Sequence, residues 1–172
     1  SIGSEFKVNT YITNNQKLPS VTMDNTGRFI IVWGSIQDEG GYGVYGQRYN
    51  SDGNTNGSEF RVNTYTTNNQ AAPSVVMDNN GNFVVSWASN YQDVSGSAGV
   101  YAQRYISDGS TNGSDFIVYT YTTGTQGSPS MGIDDSGNFV TTWVSGLSPG
   151  VGQDGDAFGI YGKRYNSSGV EQ

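Results

Sequence analysis

The sequence predicts an all-β protein made of three four-stranded repeats. The stretch PSVVMDNNGNFVVSW at 73–87 recurs with small changes at 19–33 and 129–143. Apolar and polar residues alternate along its short segments, and 25 glycines lie among them. Such repeats are typical of folds in which each unit covers its neighbour's apolar face. We therefore expect one domain, 1–172, with repeats at 1–56, 57–112 and 113–172.

Four strands are predicted in each repeat, and the second repeat shows them in order. FRVNTY at 60–65 and the segment from Pro73 both alternate apolar with polar residues. The segment from Phe83 to Trp87 is apolar on both faces, as expected of a strand between two sheets. A turn of the form Asp-x-x-Gly precedes it, and GVYAQRY at 99–105 is the fourth strand.

Only the segment between the tryptophan and the next tyrosine changes length between repeats. It reads GSIQDEGGYGV, ASNYQDVSGSAGV and VSGLSPGVGQDGDAFGI. Insertions confined to one loop type indicate one free face, where function is expected.

Composition excludes several classes of function. The chain has no cysteine and no histidine, so thiolate chemistry and the commonest general base are absent. A net charge of −7 disfavours nucleic acid. No segment is long enough to insert into a membrane. The acidic, cysteine-free composition favours a secreted, extracellular bacterial protein, and the start at Ser1 suggests part of a longer multidomain protein.

The turns after the fourth segment carry a family resemblance. SDGNTN at 51–56, SDGSTN at 107–112 and SSG at 167–169 resemble degenerate Asp-box repeats of sialidase-like β-propellers. The resemblance implies propeller blades that begin at the Pro segment. Counted within a blade, GVYAQRY is the third strand, and the fourth is the following segment at Phe60 or Phe116. A β-trefoil and a β-prism remain alternatives. The segment around GVYAQRY also resembles repeats of large secreted bacterial proteins.

The candidate ligand site combines amides, acids and tyrosines on the loop face. Gln-Asp pairs recur in the variable loops, and a glutamine and a tyrosine recur beside them. Such groups suit hydroxyl-rich ligands, although amides and acids also bond loop backbone. The candidates are Gln16, Gln37, Asp38, Tyr45, Gln70, Gln92, Asp93, Tyr101, Gln126, Gln153, Asp154 and Tyr161.

Three other sets of residues have a structural or a functional interpretation. Trp33, Trp87 and Trp143 end an apolar strand and are expected to be core anchors. Arg48, Arg104 and Arg164 are expected to bridge neighbouring blades, with an anion clamp as the alternative. No cofactor is expected, although the acidic, glycine-rich loops suit Ca²⁺.

These features predict a non-catalytic carbohydrate-binding module for a glycan or polysaccharide. The alternative is a structural or adhesin repeat of a bacterial surface protein, stabilised by calcium; a glycosidase ranks third. An enzyme needs an acid and a base in different environments, whereas these acids recur at equivalent positions. The sequence therefore predicts that the protein is not an enzyme.

The ends of the repeat pattern predict a homodimer. Ser4 to Tyr11 match a fourth strand without its first three, and Pro129 to Tyr165 match three strands without a fourth. If each N-terminal strand completes the partner's last blade, two chains form a six-bladed ring. A monomer that closes on itself is the alternative.

Overall fold

The computed structural model describes residues 3–38, 40–93, 96–146 and 152–172, which form eleven strands in three antiparallel sheets. The first sheet contains β1 (Gln16–Met23), β2 (Phe29–Asp38), β3 (Gly41–Tyr49) and β4 (Phe60–Arg61). The second contains β5 (Gln70–Met77), β6 (Phe83–Asn90), β7 (Ala98–Tyr105) and β8 (Phe116–Ile117). The third contains β9 (Thr125–Ile133), β10 (Phe139–Gly146) and β11 (Phe158–Tyr165). The predicted all-β class is thus confirmed, and no helix in these ranges could cross a membrane.

The hairpin turns confirm the Asp-x-x-Gly interpretation. In the first sheet, the Asp24 side chain accepts hydrogen bonds from the backbone N–H groups of Thr26 (2.9 Å) and Arg28 (3.0 Å). Gly27 has a φ of 87°, which is costly for residues with a Cβ. The turn thus sets the register of β1 against β2.

The first strand of each sheet (β1, β5 and β9) carries a bulge before its proline. Leu18, Ala72 and Ser128 occupy equivalent positions and have φ values of 54°, 51° and 51°. The β-ladder shifts register at these places. Residues other than glycine rarely adopt this left-handed backbone conformation, so the bulge is a strained feature repeated in all three sheets.

The sheets stack face to face with an apolar core at each junction. Trp87 is buried in the core between the first and second sheets, and Trp143 in the core between the second and third. The expectation of core anchors between sheets is confirmed for Trp87 and Trp143, whereas Trp33 is buried but belongs to neither of these two cores. Rings stack within each sheet as well, for example Phe83 on Tyr105 at 4.6 Å between centroids.

Arginine joins neighbouring sheets, as expected. Nη1 of Arg48 donates to the carbonyl of Ser107 (3.0 Å), and Nη1 of Arg104 donates to the carbonyl of Ser167 (3.0 Å). Both acceptors lie in the degenerate Asp-box turns. Those turns therefore serve as acceptors for the arginine of the preceding sheet.

The fourth strands differ from the prediction. β4 and β8 contain only two residues each, and Ser4 to Tyr11 form no strand. Ser4 to Tyr11 precede the first sheet, whereas the sheet that lacks a fourth strand is the third, so none of the described strands pairs with this segment within the chain. Phe6 instead places its ring edge-on against Tyr49, with 5.6 Å between centroids.

Candidate functional site

Two sets of loops meet on one side of the stacked sheets, which we call the loop face. The β2–β3 and β6–β7 loops approach the segments that precede β1 and β5. The N–H of Asn90 donates to the carbonyl of Asn69 (2.9 Å), and the N–H of Ile36 donates to the carbonyl of Asn15 (3.3 Å). The opposite side carries only tight turns in the described ranges.

The loop glutamines point inward. Gln70 and Gln126 are fully buried and Gln16 is half-buried. Their Nε2 atoms donate to backbone carbonyls three residues earlier: Gln70 to Thr67 (2.8 Å), with the same contact in the other two repeats. These amides close the loops before the inner strands, so the structural interpretation describes them better than ligand binding does.

The residues of the variable loops take different places in the three repeats. Gln37 donates to Glu59 Oε1 (3.0 Å), and Gln153 accepts from Ser145 Oγ (3.3 Å). Asp154 is exposed and accepts from the backbone of Asp156. Gln92 is half-buried, and its Oε1 lacks a hydrogen-bond partner among the described atoms. The side chain of Asp38 lies outside the described residues.

The three strand tyrosines also differ. Tyr45 and Tyr101 are buried, whereas Tyr161 is half-exposed on the third sheet. The ring of Tyr101 stacks near Trp87, with centroids 6.5 Å apart. Tyr101 lies beside the loop carboxylate Asp93 and Tyr119, and Tyr161 lies near Asp154 and Tyr121.

We call a group of three neighbouring residues the Asp93 cluster: Asp93, Tyr101 and Tyr119. The hydroxyl of Tyr119 donates a short hydrogen bond to Oδ2 of Asp93, and Tyr101 contacts the same hydroxyl. Tyr119 fits because residue 99 is glycine, since a Cβ there would overlap the tyrosine hydroxyl. The cluster joins the β6–β7 loop to the segment between β8 and β9.

The cluster breaks the repeat symmetry. The residue equivalent to Tyr119 is Asn63 in the second repeat, where its side chain accepts from the Val44 N–H (2.7 Å) and donates to Gln70 Oε1 (3.2 Å). The hydroxyl of Tyr119 instead donates to Asp93. In the third repeat the buried Oε1 of Gln126 consequently has no hydrogen-bond partner among the described atoms. A local rule broken in one repeat is expected at functional positions.

Burial and charge keep both phenols of the cluster protonated. Burial raises the pKa of Tyr119, and its hydrogen bond to Asp93 raises it further. Burial also raises the pKa of Tyr101, with a contribution from the charge of Asp93. Both hydroxyls therefore remain hydrogen-bond donors at neutral pH.

Metal binding has no structural support in the described ranges, where no group of three or more acidic side chains could hold an ion. Calcium remains a prediction. The cleft between the second and third sheets, of about 270 Å³, lies on the turn side and is lined by Arg104 and Ser167. It belongs to the junction between the sheets and not to the Asp93 cluster.

The fold resembles that of glycan-degrading enzymes. An α-L-arabinofuranosidase from Lactobacillus brevis superposes with a TM-score of 0.63 at 12% identity, covering 96% of this chain and 57% of that chain. An endo-arabinase from Bacteroides thetaiotaomicron gives 0.55 at 15% identity (97% and 64% covered), and an endo-1,4-β-xylanase from the same organism gives 0.55 at 12% (98% and 64%). No family model and no curated relative matches the chain.

These likenesses define the class of fold. The enzymes of this group are five-bladed β-propellers, so the chain has a propeller-type fold and spans about three fifths of their length. The trefoil and prism alternatives are not supported. No Asp-box repeat is shown, so that resemblance rests on the turns alone.

The same comparison corrects two predictions. The chain was expected to be a non-catalytic carbohydrate-binding module and not an enzyme, but the solved structures that share its fold are glycoside hydrolases. Acids at equivalent positions were expected to have equivalent roles. Asp93 differs from its described equivalent Asp154, because Asp93 accepts a hydrogen bond from Tyr119 whereas Asp154 accepts from the backbone of Asp156.

Proposed function

We propose that the chain acts on a polysaccharide as a glycoside hydrolase, with the Asp93 cluster at the reacting centre. The observation that carries the proposal is the hydrogen bond from Tyr119 to Asp93, which is present in one repeat alone among the described residues. The propeller-type fold supports it, since the similar structures are an α-L-arabinofuranosidase, an endo-arabinase and an endo-1,4-β-xylanase. A polysaccharide substrate agrees with the predicted secretion.

Glycoside hydrolysis needs two carboxyl groups with different roles. Asp93 takes a proton from water, whose oxygen attacks the anomeric carbon. The glycosidic C–O bond breaks, and the leaving oxygen receives a proton from the second carboxyl group. Asp115 is assigned that role, in which it starts the step protonated, because it directly precedes β8, whose Ile117 pairs with Tyr101. It is half-buried and accepts from Thr64 Oγ1 (2.7 Å).

Tyr119 is a positioning residue in this proposal. Its hydroxyl donates to Oδ2 of Asp93 and so fixes the orientation of this carboxylate in the proposed reaction. The ring of Trp87 stacks near that of Tyr101 and supports the cluster. The absence of a Cβ at Gly99 lets Tyr119 lie against β7. Rigid support of this kind keeps reacting groups oriented without reorganisation.

The test is release of reducing ends from arabinan and xylan by the unchanged chain and by Asp93→Asn. Loss of a general base lowers rates by roughly 10²- to 10⁴-fold, so we expect Asp93→Asn to be at least about 100-fold slower. Asp115→Asn should have a similar effect. Asp108→Asn is the matched control, because Asp108 lies in a tight turn on the other side of the same sheet.

Two outcomes would contradict the proposal. One is that the unchanged chain releases no sugar from either polymer above the buffer rate. The other is that Asp93→Asn retains the rate of Asp108→Asn. Circular dichroism of each variant separates loss of the site from loss of the fold.

A further inference from the structure

The outer faces of the first and third sheets expose apolar side chains at positions buried elsewhere in the chain. On the third sheet Ile160 is 74% exposed, whereas its equivalents Val44 and Val100 are fully buried. On the first sheet Val21 is 62% exposed, whereas its equivalent Val75 is 4% exposed. We call these two surfaces the open faces. Each presents the half of a sheet-to-sheet junction that the other lacks.

The arginine contact between sheets has an unmatched half on each open face. Arg104 donates to the carbonyl of Ser167 across the junction between the second and third sheets. The equivalent Arg164 is exposed on the third sheet, and the equivalent turn at Ser51 is exposed on the first. A second copy placed in sequence would bring Arg164 to the Ser51 turn.

A second polar contact repeats this relationship. Thr64 Oγ1 donates to Asp115 (2.7 Å), and Thr10 donates in the same way to Glu59 (2.8 Å). The third threonine of the series is Thr120, which is exposed. The remaining acid of the series is Glu5, which directly precedes Phe6 and is also exposed.

The N-terminal segment already lies where such a junction needs it. Phe116 packs edge-on against Tyr165 at 5.6 Å while its backbone completes the second sheet. Phe6 packs against Tyr49 at the same distance and in the same edge-on manner. Its backbone is thereby in place to pair with a β-strand edge, and Gly162 on β11 is the equivalent partner position.

We propose that a second copy of this chain docks head to tail on the open faces, so that two chains close a ring of six sheets. The open faces differ from each other, so each copy supplies one half of both junctions. The matching apolar, arginine and threonine positions continue the junctions already present within the chain, which favours this occupant over an unrelated partner. The proposal does not depend on the reaction proposed above.

The test begins with the mass of the chain in solution. Light scattering at micromolar concentration should give twice the chain mass of 18.4 kDa. Ile160→Asp and Val21→Asp should each give single chains, because a charge at either position opposes burial of that face. Both residues are exposed in the single chain, so the variants should keep its circular dichroism spectrum.

Mixing the two variants distinguishes head-to-tail docking from other dimers. Ile160→Asp retains an intact first-sheet face and Val21→Asp retains an intact third-sheet face, so an equimolar mixture should recover pairs through one junction. Ile106→Asp is the control, since Ile106 is 40% exposed on the middle sheet and the other repeats have Asn50 and Asn166 there. It should leave the mass of the pair unchanged.

Three results would overturn the proposal. The unchanged chain could scatter as a single chain or as an open series of larger masses. Either charged variant could remain paired. The mixture of the two variants could fail to recover pairs although each variant is folded.

Discussion

At the scale of single residues, position within the repeat decides what a side chain does. The loop glutamines recur and contain groups that suit a sugar, but two of them are buried and all three close loops. The informative residue is Tyr119, where VNTY of two repeats becomes VYTY in the third. The sequence contains this signal. Its meaning could not be predicted, because the partner Asp93 lies 26 residues away in a loop of varying length.

The bulge before each proline gives a prediction at this scale. Ala72 has a φ of 51°, a conformation that costs residues with a Cβ about 1–2 kcal/mol. We therefore expect Ala72→Gly to leave the free energy of unfolding unchanged or to raise it by about 1 kcal/mol. Urea unfolding measures this change.

Ala102→Gly is the matched control for that measurement. Ala102 is fully buried in β7, and the first repeat has Gly46 at the same position. Glycine in a strand interior costs roughly 0.5–1 kcal/mol, so this variant should be less stable than the unchanged chain. Equal destabilisation by both substitutions would show that the bulge is not strained.

At the scale of elements, the sequence predicts strands and turns well. Alternation located three of the four strands in each repeat, and the Asp-x-x-Gly turns are present as expected. The fourth strands are shorter than predicted. Their pairing depends on the edge that a neighbouring strand offers, and a pattern of alternating residues contains no information about that edge.

The hairpin of the first sheet gives a pH prediction. Burial raises the pKa of Asp24, but hydrogen bonds from Thr26 and Arg28 outweigh it, so the pKa lies below its ordinary value of 3.8. The resulting stabilisation is present above pH 3.8 and is lost as the pH falls through the lower, folded value. The turn should therefore weaken only in acid.

Asp24→Asn tests this directly. At pH 7 we expect the variant to be less stable by about 1 kcal/mol, because it loses the charged hydrogen bonds of the turn. Well below pH 3.8 the carboxyl of the unchanged chain is protonated, and the difference between the two urea midpoints should shrink. A difference that stays constant with pH would contradict the assigned role of the charge.

At the scale of the whole molecule, the stacking of the sheets could be predicted only in part. The repeats and the apolar strand between two sheets indicated stacked units, and the arginine series indicated bridges between them. The likeness to the fold of glycoside hydrolases could not be predicted from the symmetry of the acids. Stacking brings different repeats together, and Asp93 thereby meets a tyrosine from the following segment.

In the proposed glycoside hydrolase, Tyr119 positions Asp93 as the reacting carboxylate. The most direct measurement is the pair of constants kcat and KM for arabinan or xylan with Tyr119→Phe, which keeps the ring and removes the hydroxyl. We predict that kcat falls by about 10-fold or more while KM and the fold stay unchanged, since the hydroxyl positions the reacting group and does not bind substrate. A kcat equal to that of the unchanged chain, or a change in KM alone, would contradict the claim.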